Sequence, residues 1–439
     1  MKGLALAALP LAVLAVPMLA DTGGRPEFPP AEFAPTDPAR VDLGRLLFYD
    51  PILSGNEGVA CATCHHPRFG TSDGMSLSLG DGAHGLGPDR VIDPDNLPEQ
   101  RIPRNAPALF NLGAAQFTHM FHDGRLEADA TQPHGIRTPL GESMTEGFDS
   151  VLSAQAMFPV LAPDEMAGHY SENPISRAVR MGQLSLPGGA WEQIAARVEA
   201  VPEYRARFDA VLGVGAPIHF TDISNMMAEF INAEWRADDS PFDRYLAGQD
   251  ALSDAEMHGM DLFYGEAGCA GCHTGLFQTD HQFHSIAMVQ IGPGKAARFE
   301  THARDEGRMR VTGNPEDAFA FRTPSLRNVT LTAPYGHDGA YATLESVIRH
   351  HLDPVGSLYS YDRSQAILAD LPGADDWRIL DDPAEMAAIA ASNDLPPIEL
   401  SDGQVADLMA FLGALTDAAG AAGRLGVPET VPSGLPVDR

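Results

Sequence analysis

Basic residues are scarce in this sequence. It holds 29 Lys and Arg against 60 Asp and Glu, a formal net charge of −31. A protein that gripped nucleic acid or an anionic membrane would need the opposite surplus, so both partners are excluded. Strand-like alternation is also hard to find, and after the first 20 residues no apolar run approaches the ~20 residues that cross a bilayer. No membrane anchor is therefore expected. Cysteine is rarer still, with four in 439 residues. A disulfide scaffold is thus ruled out, and whatever those four do must depend on where they stand.

What is present reads as a globular protein. Hydrophobic residues make up 44% and charged residues 20%, enough for a core and unlike a disordered acidic tail. The 43 Gly and 35 Pro indicate much loop between regular elements. Residues 1–20 read as a cleaved export signal: Lys2, an apolar run over 4–16, then Pro17-Met18-Leu19-Ala20 before Asp21. Residues 21–36 follow as a flexible leader, and the small, polar, Pro-containing stretch 419–439 reads as a flexible tail.

An imperfect internal repeat lies between. Asp37-Pro38 starts a helix that runs through Gly44-Arg45-Leu46-Leu47-Phe48-Tyr49 toward the first cysteines. Ser253-Asp254-Ala255-Glu256 is a capping box, and Gly259-Met260-Asp261-Leu262-Phe263-Tyr264 leads toward the second pair. Ile223, Met226, Met227, Phe230, Ile231 and Trp235 recur at helical spacing, as do Val405, Leu408, Met409, Leu412 and Leu415. The expected fold is mainly α, in two related helical domains over 37–245 and 246–418.

The four cysteines form two runs, Cys61-Ala62-Thr63-Cys64-His65 and Cys269-Ala270-Gly271-Cys272-His273. In such a run each thiol adds to a porphyrin vinyl group and the following imidazole turns onto the iron. A redox disulfide or half of a zinc site are the rivals for a bare Cys-x-x-Cys. Both copies carry the His, and no cysteine remains to complete a four-thiolate site, so two c-type haems are expected. His65 and His273 are then the proximal ligands.

These runs, with Leu43-Gly44-Arg45-Leu46-Leu47-Phe48, Arg104-Asn105-Ala106-Pro107, Asp123-Gly124-Arg125, Ser240-Pro241-Phe242-Asp243 and Phe321-Arg322-Thr323-Pro324-Ser325-Leu326-Arg327-Asn328, resemble the bacterial di-haem cytochrome c peroxidases and MauG-type enzymes. The resemblance runs from about residue 37 to 415 with an insertion near 133–150. It implies two cytochrome c-like helical domains, an N-terminal peroxidatic haem and a C-terminal electron-transfer haem. It further implies a periplasmic location, a small cytochrome c or cupredoxin as electron donor, and a homodimer.

The family's distal Gln and Glu fall on Gln155 and Glu165, within Leu152-Ser153-Ala154-Gln155-Ala156-Met157-Phe158-Pro159 and Glu165-Met166. Glu165 is the expected acid/base and Gln155 its companion; Gln132 and Glu142, at the family's usual distance from Asp123-Gly124-Arg125, are the rival pair. The loop Gly80-Asp81-Gly82-Ala83-His84-Gly85 resembles the family's displaceable-ligand loop, with His84 either that ligand or an exposed loop histidine. The second ligand of the C-terminal haem, Met or Tyr in relatives, falls on His351, beside His350. His122 replaces the family's bridging Trp. A calcium ion is implied at the Asn105 side chain and the carbonyls of Thr332 and Pro334, although Asn105 and Pro334 equally serve as turn residues. His281 and His284 read as exposed loop histidines rather than a metal pair.

The implied activity is reduction of hydrogen peroxide. The alternatives are a MauG-like oxidase acting on an aromatic residue of a partner protein, and a di-haem electron carrier without catalysis.

Overall fold

The computed structural model describes residues 26–296 and 300–439. The expected export signal and residues 21–25 of the leader lie outside them. Regular structure is predominantly helical, with three small sheets whose strands are two or three residues long.

Two helix pairs organise the chain. Pro38–Tyr49 begins where the Asp37 carboxylate accepts from the backbone N–H groups of Ala39 and Arg40, and it packs against Phe220–Glu234. Asp254–Tyr264, started by the Ser253/Glu256 capping box, packs against Asp402–Ala414. The repeat explains both crossings. A Cβ on Gly44 would stand 1.9 Å from Met226 O, and one on Gly259 1.9 Å from Asp407 O. Each glycine lets two helix backbones touch. One turn later Phe48 packs on Phe230 and Phe263 on Phe411, with ring centroids 5.5 and 5.2 Å apart.

The first pair is the centre of a large core that includes Leu47, Phe48, Phe208, Phe230 and Trp235. The second pair buries Phe242, Phe263, Phe411 and Leu412. A third cluster, with Leu77, Val289, Ile291, Tyr341 and Ile389, joins segments from both halves of the sequence. Helix Pro241–Leu246 gives Phe242 and Tyr245 to the second core, so the chain passes between the units before residue 241 rather than after 245. The insertion supplies strand Ile136–Arg137, paired with Leu126–Ala128, and buries Met144 and Phe148.

Two expectations of flexibility are corrected. Leader residues 26–36 lie on the body: Phe33 bridges to Ala114 and sits under the Arg236 guanidinium at 4.4 Å, and Phe28 meets Tyr264. The tail 419–439 returns to the first unit. Gly426 O accepts from Arg45 Nε at 2.7 Å, Ser433 Oγ donates to Asp50 at 2.7 Å, Val431 is buried, and Thr63 Oγ1 donates to Asp438 at 2.8 Å. Polar composition suggested solvation; in the fold those polar groups meet partners remote in sequence.

Candidate functional site

Cys61–Cys64 forms one helical turn, and no two of the four cysteines are joined in a disulfide. Each following His is fixed in the same way. His65 Nδ1 lies 3.1 Å from Thr71 O, and His273 Nδ1 3.1 Å from Gln278 O. A carbonyl only accepts, so Nδ1 carries the proton and Nε2 keeps its lone pair. Burial holds both rings neutral: it lowers His65, and with His351 nearby it pushes His273 down to about 4. Thr71 and Gln278 are both fully buried and both left-handed, at φ 62° and 47°. That conformation aims each carbonyl back at its histidine.

A second part of the repeat, which the sequence reading left unnoticed, holds the other side of each turn. Pro107 and Pro324 carbonyls stand within hydrogen-bonding reach of His65 and His273. They belong to matching segments, Ala106-Pro107-Ala108-Leu109-Phe110-Asn111-Leu112 and Thr323-Pro324-Ser325-Leu326-Arg327-Asn328-Val329. Asn111 is left-handed; its N–H donates to Trp235 O and its Oδ1 accepts from Ala237 N, both at 2.9 Å. Asn328 does the same with Leu415 O at 3.2 Å and Asp417 N at 2.7 Å. Each proximal segment is thus tied to the end of its unit's closing helix. The shared Pro-x-Leu-x-Asn pattern was the available signal.

Across from His273 stands His351, with ring centroids 6.3 Å apart. Two imidazoles on one ion at ~2.0 Å bonds would have centroids roughly 6.3 Å apart, so the gap matches one metal. His351 Nδ1 donates to Val347 O at 2.8 Å, which leaves Nε2 free. His350 is fully buried with both nitrogens engaged, Nδ1 with Tyr341 OH at 2.7 Å and Nε2 with Ile286 O at 2.9 Å. His281 and His284 are half-buried rather than exposed: His281 packs edge-on against Phe117, and His284 pairs with Asp280 at 2.8 Å. That bond, with the Cys272 thiol, pushes His284 up to about 10.

The first turn has a different neighbour. Glu165 lies on a turn of π-helix, Pro163–Ala167, and its charge is felt at the Cys64 thiol. Gln155 ends helix Val151–Gln155. Burial raises the Glu165 carboxyl, while Lys295 and Arg125 draw it down. Lys295 itself is pushed down to about 8 by burial and by Arg125 and Arg104. It had not been singled out in the sequence. The Glu165 backbone is wedged: Asp81 N–H donates to its carbonyl at 3.1 Å, and a Cβ on Gly80 would stand 2.8 Å from its Cα. The rival pair sits elsewhere. Glu142 is exposed, and Gln132 is bonded to Asp129 beside Arg137.

His84 is corrected. Its side chain is 65% exposed and pairs with Asp93 at 3.3 Å. Arg90 donates to the carbonyls of Leu79, Gly80, Ala83 and Gly85 at 2.6 to 2.7 Å, so the glycine-rich loop is fixed with His84 pointing outward.

Between the units, Phe121-His122-Asp123-Gly124-Arg125 forms a buried charge junction. Arg104 pairs with Asp123 at 2.7 Å and with Asp305 at 2.6 Å. Arg125 lies 4.1 Å over the Phe121 ring, and left-handed Gly124 leaves space for the Phe283 ring. His122 is neutral, pushed down to about 4 by burial and Arg104, with Nε2 3.1 Å from Asn105 O. Among the described residues the Arg322 guanidinium bonds to carbonyls, at 3.3 Å to Phe121 O and 3.4 Å to Thr323 O, and burial pushes it down to about 10. The Asn105 amide N–H2 donates to Met75 O at 2.7 Å, which leaves its Oδ1 as an acceptor.

A family model described as di-haem cytochrome c peroxidase matches residues 38–251. The methylamine utilization protein MauG of Methylorubrum extorquens is 32% identical over 333 residues, covering 75% of this chain and 73% of that protein. The chain belongs to the di-haem cytochrome c peroxidase family. It is accordingly an oxidoreductase of a di-haem class. The cytochrome c551 peroxidase of Nitrosomonas europaea is 29% identical over 317 residues, 72% of this chain and 73% of that one. Among solved structures, a MauG-like protein associated with microbial copper homeostasis is 27% identical with a TM-score of 0.57, over 92% of this chain and 97% of that chain. The diheme peroxidase BthA of Burkholderia thailandensis shares the fold at 20% identity and TM-score 0.59, over 95% of each chain. Among the described residues no helix is long and apolar enough to cross a membrane.

Proposed function

We propose that this family member is a periplasmic di-haem c-type peroxidase that reduces hydrogen peroxide to water with electrons from a small cytochrome c or cupredoxin. The donor set fits two covalent haems. Each unit offers two cysteines and a neutral His whose Nε2 is open, and Arg322 is a half-buried cation with no carboxylate partner among the described residues, suited to a haem propionate. Cys61, Cys64 and His65 would hold the first haem, and Cys269, Cys272, His273 and His351 the second, making each helical unit a cytochrome c-like domain. When bound, the haems supply one-electron chemistry and peroxide activation.

The observation that carries the reading is an asymmetry. Opposite His273 stands another imidazole, whereas the first turn has a carboxylate nearby: Cys64 Sγ lies 3.6 Å from Ser78 Oγ, and two residues on, Gly80 and Asp81 pack against and hold the Glu165 backbone. A haem held between His273 and His351 would have both imidazoles as ligands and be suited to relay, whereas one held by His65 would leave room for substrate beside Glu165. Glu165 takes a proton from one peroxide oxygen and returns it to the leaving oxygen, and Gln155 orients the substrate by its amide. Two electrons and two protons convert one peroxide to two waters. A carboxyl raised by burial yet checked by Lys295 and Arg125 is poised for both directions of transfer. The net charge of −31 favours a basic donor. Asn105, Thr332 and Pro334 oxygens would hold a calcium ion, and a homodimer is the proposed assembly.

Steady-state turnover of holo-protein with reduced cytochrome c and peroxide tests the reading. Glu165→Gln is expected to cut turnover by about 10²- to 10⁴-fold with both haems still attached. An inactive wild-type holo-protein, even after partial reduction, overturns it and points to an electron carrier, and full turnover by Glu165→Gln removes Glu165 from the acid/base role. The similarity to MauG and the imidazole at position 351 support a second reading, oxidation of a partner protein's aromatic residue; His122 in place of Trp speaks against it. Persistence for minutes of both oxidising equivalents after peroxide is added to the di-ferric protein would favour that reading.

A further inference from the structure

Behind Glu165 lies a cluster that the peroxidase reading does not use. His169 is buried, with 6% of its side chain exposed, and its Nε2 lies 3.1 Å from Asp164 Oδ1. A carboxylate accepts, so Nε2 carries the proton and the lone pair is on Nδ1. That atom has no hydrogen-bond partner. Its nearest carboxylate oxygen, Asp81 Oδ2, is 3.8 Å away, too far for a hydrogen bond. Glu172 completes the group. One ligand atom each from Asp81, His169 and Glu172 lie within 4.8 Å of one another.

We propose that Asp81, His169 and Glu172 form a non-haem site for one divalent transition-metal ion of the zinc(II) type.

Three features of the cluster support a metal over a simple ion pair. Ligands ~2.1 Å from a tetrahedral ion stand roughly 3.4 Å apart, so a 3.8 Å gap between an imidazole nitrogen and a carboxylate oxygen suits a bridging cation better than a shared proton. The Asp164–His169 bond reproduces the carboxylate–histidine–metal arrangement, in which the outer carboxylate fixes the tautomer and makes the ligating nitrogen more basic. The two carboxylates are also pre-set. Asn56 Nδ2 donates to Asp81 Oδ2 at 2.9 Å and to Glu172 Oε1 at 2.6 Å, Asn96 Nδ2 donates to Asp81 Oδ2 at 3.2 Å, and the His169 backbone N–H donates to Glu172 Oε1 at 2.7 Å. One imidazole with two carboxylates is a nitrogen and oxygen set of the kind zinc takes, with a water as fourth ligand. Of the two rival groupings, that of Cys272, Asp280 and His284 contains a thiol that the second haem would consume, and that of Glu99, Asp164 and His169 would need the Nε2 that is already bonded to Asp164 at 3.1 Å.

The place of the cluster gives it a role. Asp164 precedes Glu165, and Asp81 N–H holds the Glu165 carbonyl, so an ion here would brace the turn that presents Glu165. Asp81 and His169 would act as positioning residues. Metal binding is independent of the peroxidase reading, because the test needs no turnover.

Holo-protein stripped with EDTA and returned to buffer containing calcium is titrated with zinc chloride by calorimetry. One equivalent is expected to bind and to raise the thermal midpoint. His169→Gln and Glu172→Gln are expected to abolish that binding, and Asp164→Asn to weaken it by about 10- to 100-fold while the haem spectra stay unchanged. X-ray absorption at the zinc edge of the wild type, which needs no variant to fold, should show one imidazole and otherwise oxygen ligands. No stoichiometric binding, binding unaltered in His169→Gln, or a sulfur ligand at the zinc each overturns the proposal. In that event His169 is an imidazolium between Asp164 and Asp81.

Discussion

His350 and His351 are chain neighbours, yet their surroundings divide the work between them. His350 spends both nitrogens on Tyr341 and the Ile286 carbonyl, while His351 keeps Nε2 for the space facing His273. His351→Ala is therefore expected to remove the low-spin bis-imidazole signature of one haem in absorption and EPR spectra. His350→Ala should keep that signature and lose about 1–3 kcal/mol of stability, read from denaturant unfolding, because two buried bonds go unmade. Helical geometry shows that only one of the two can face the iron, but the choice depends on Tyr341 and Ile286, and nothing in the local sequence names them. Asp338 makes a similar point about burial. Its Oδ2 accepts from Ile291 N at 2.7 Å, and burial nevertheless pushes the carboxyl up to about 8. The folded state then holds this proton where the unfolded chain has released it, so stability falls as pH rises from about 4 to 8. Asp338→Asn should flatten that part of a plot of thermal midpoint against pH.

Helix crossings were the most legible elements. The Gly-x-x-x-Phe-Tyr pattern that marks both members of the repeat is the contact itself, since Gly44 and Gly259 admit the backbones of Met226 and Asp407. Gly44→Ala and Gly259→Ala are each expected to cost about 1–3 kcal/mol or more, measured by denaturant unfolding, because a backbone oxygen cannot move aside as a side-chain tip can. The matching Pro107 and Pro324 segments escaped notice because they stand at different distances from their cysteines. The loop holding His84 left two readings open for a physical reason. Glycines signal permitted conformations, and whether the loop moves depends on Arg90, whose guanidinium fixes four of its carbonyls. Glu165 could be chosen over Glu142 from the residues around it, whereas Lys295, which shapes its charge, lies 130 positions away on a loop without a motif.

At the scale of the whole molecule, the halves are joined by buried charge and by the chain ends. Arg104 reaches Asp123 in one segment and Asp305 in another, and Arg308 donates to the carbonyls of Asp123 and Gly124 at 3.2 and 2.8 Å. Composition correctly indicated an acidic globular protein, but it could not show that its polar tail finds partners. Deletion of residues 419–439 is expected to lower stability by about 2–4 kcal/mol and to expose the first unit to limited proteolysis, since the bonds to Arg45, Asp50 and Thr63 are lost together. The Thr63–Asp438 bond also sets a clock. Its partners are 375 residues apart, and Thr63 stands between the two cysteines of the first turn. At ~5–20 residues per second, roughly 20–75 s of synthesis separate them. For that interval the first cysteine pair exists without its final fastening, so Asp438 closes a site whose own residues were made roughly 20 s or more before it.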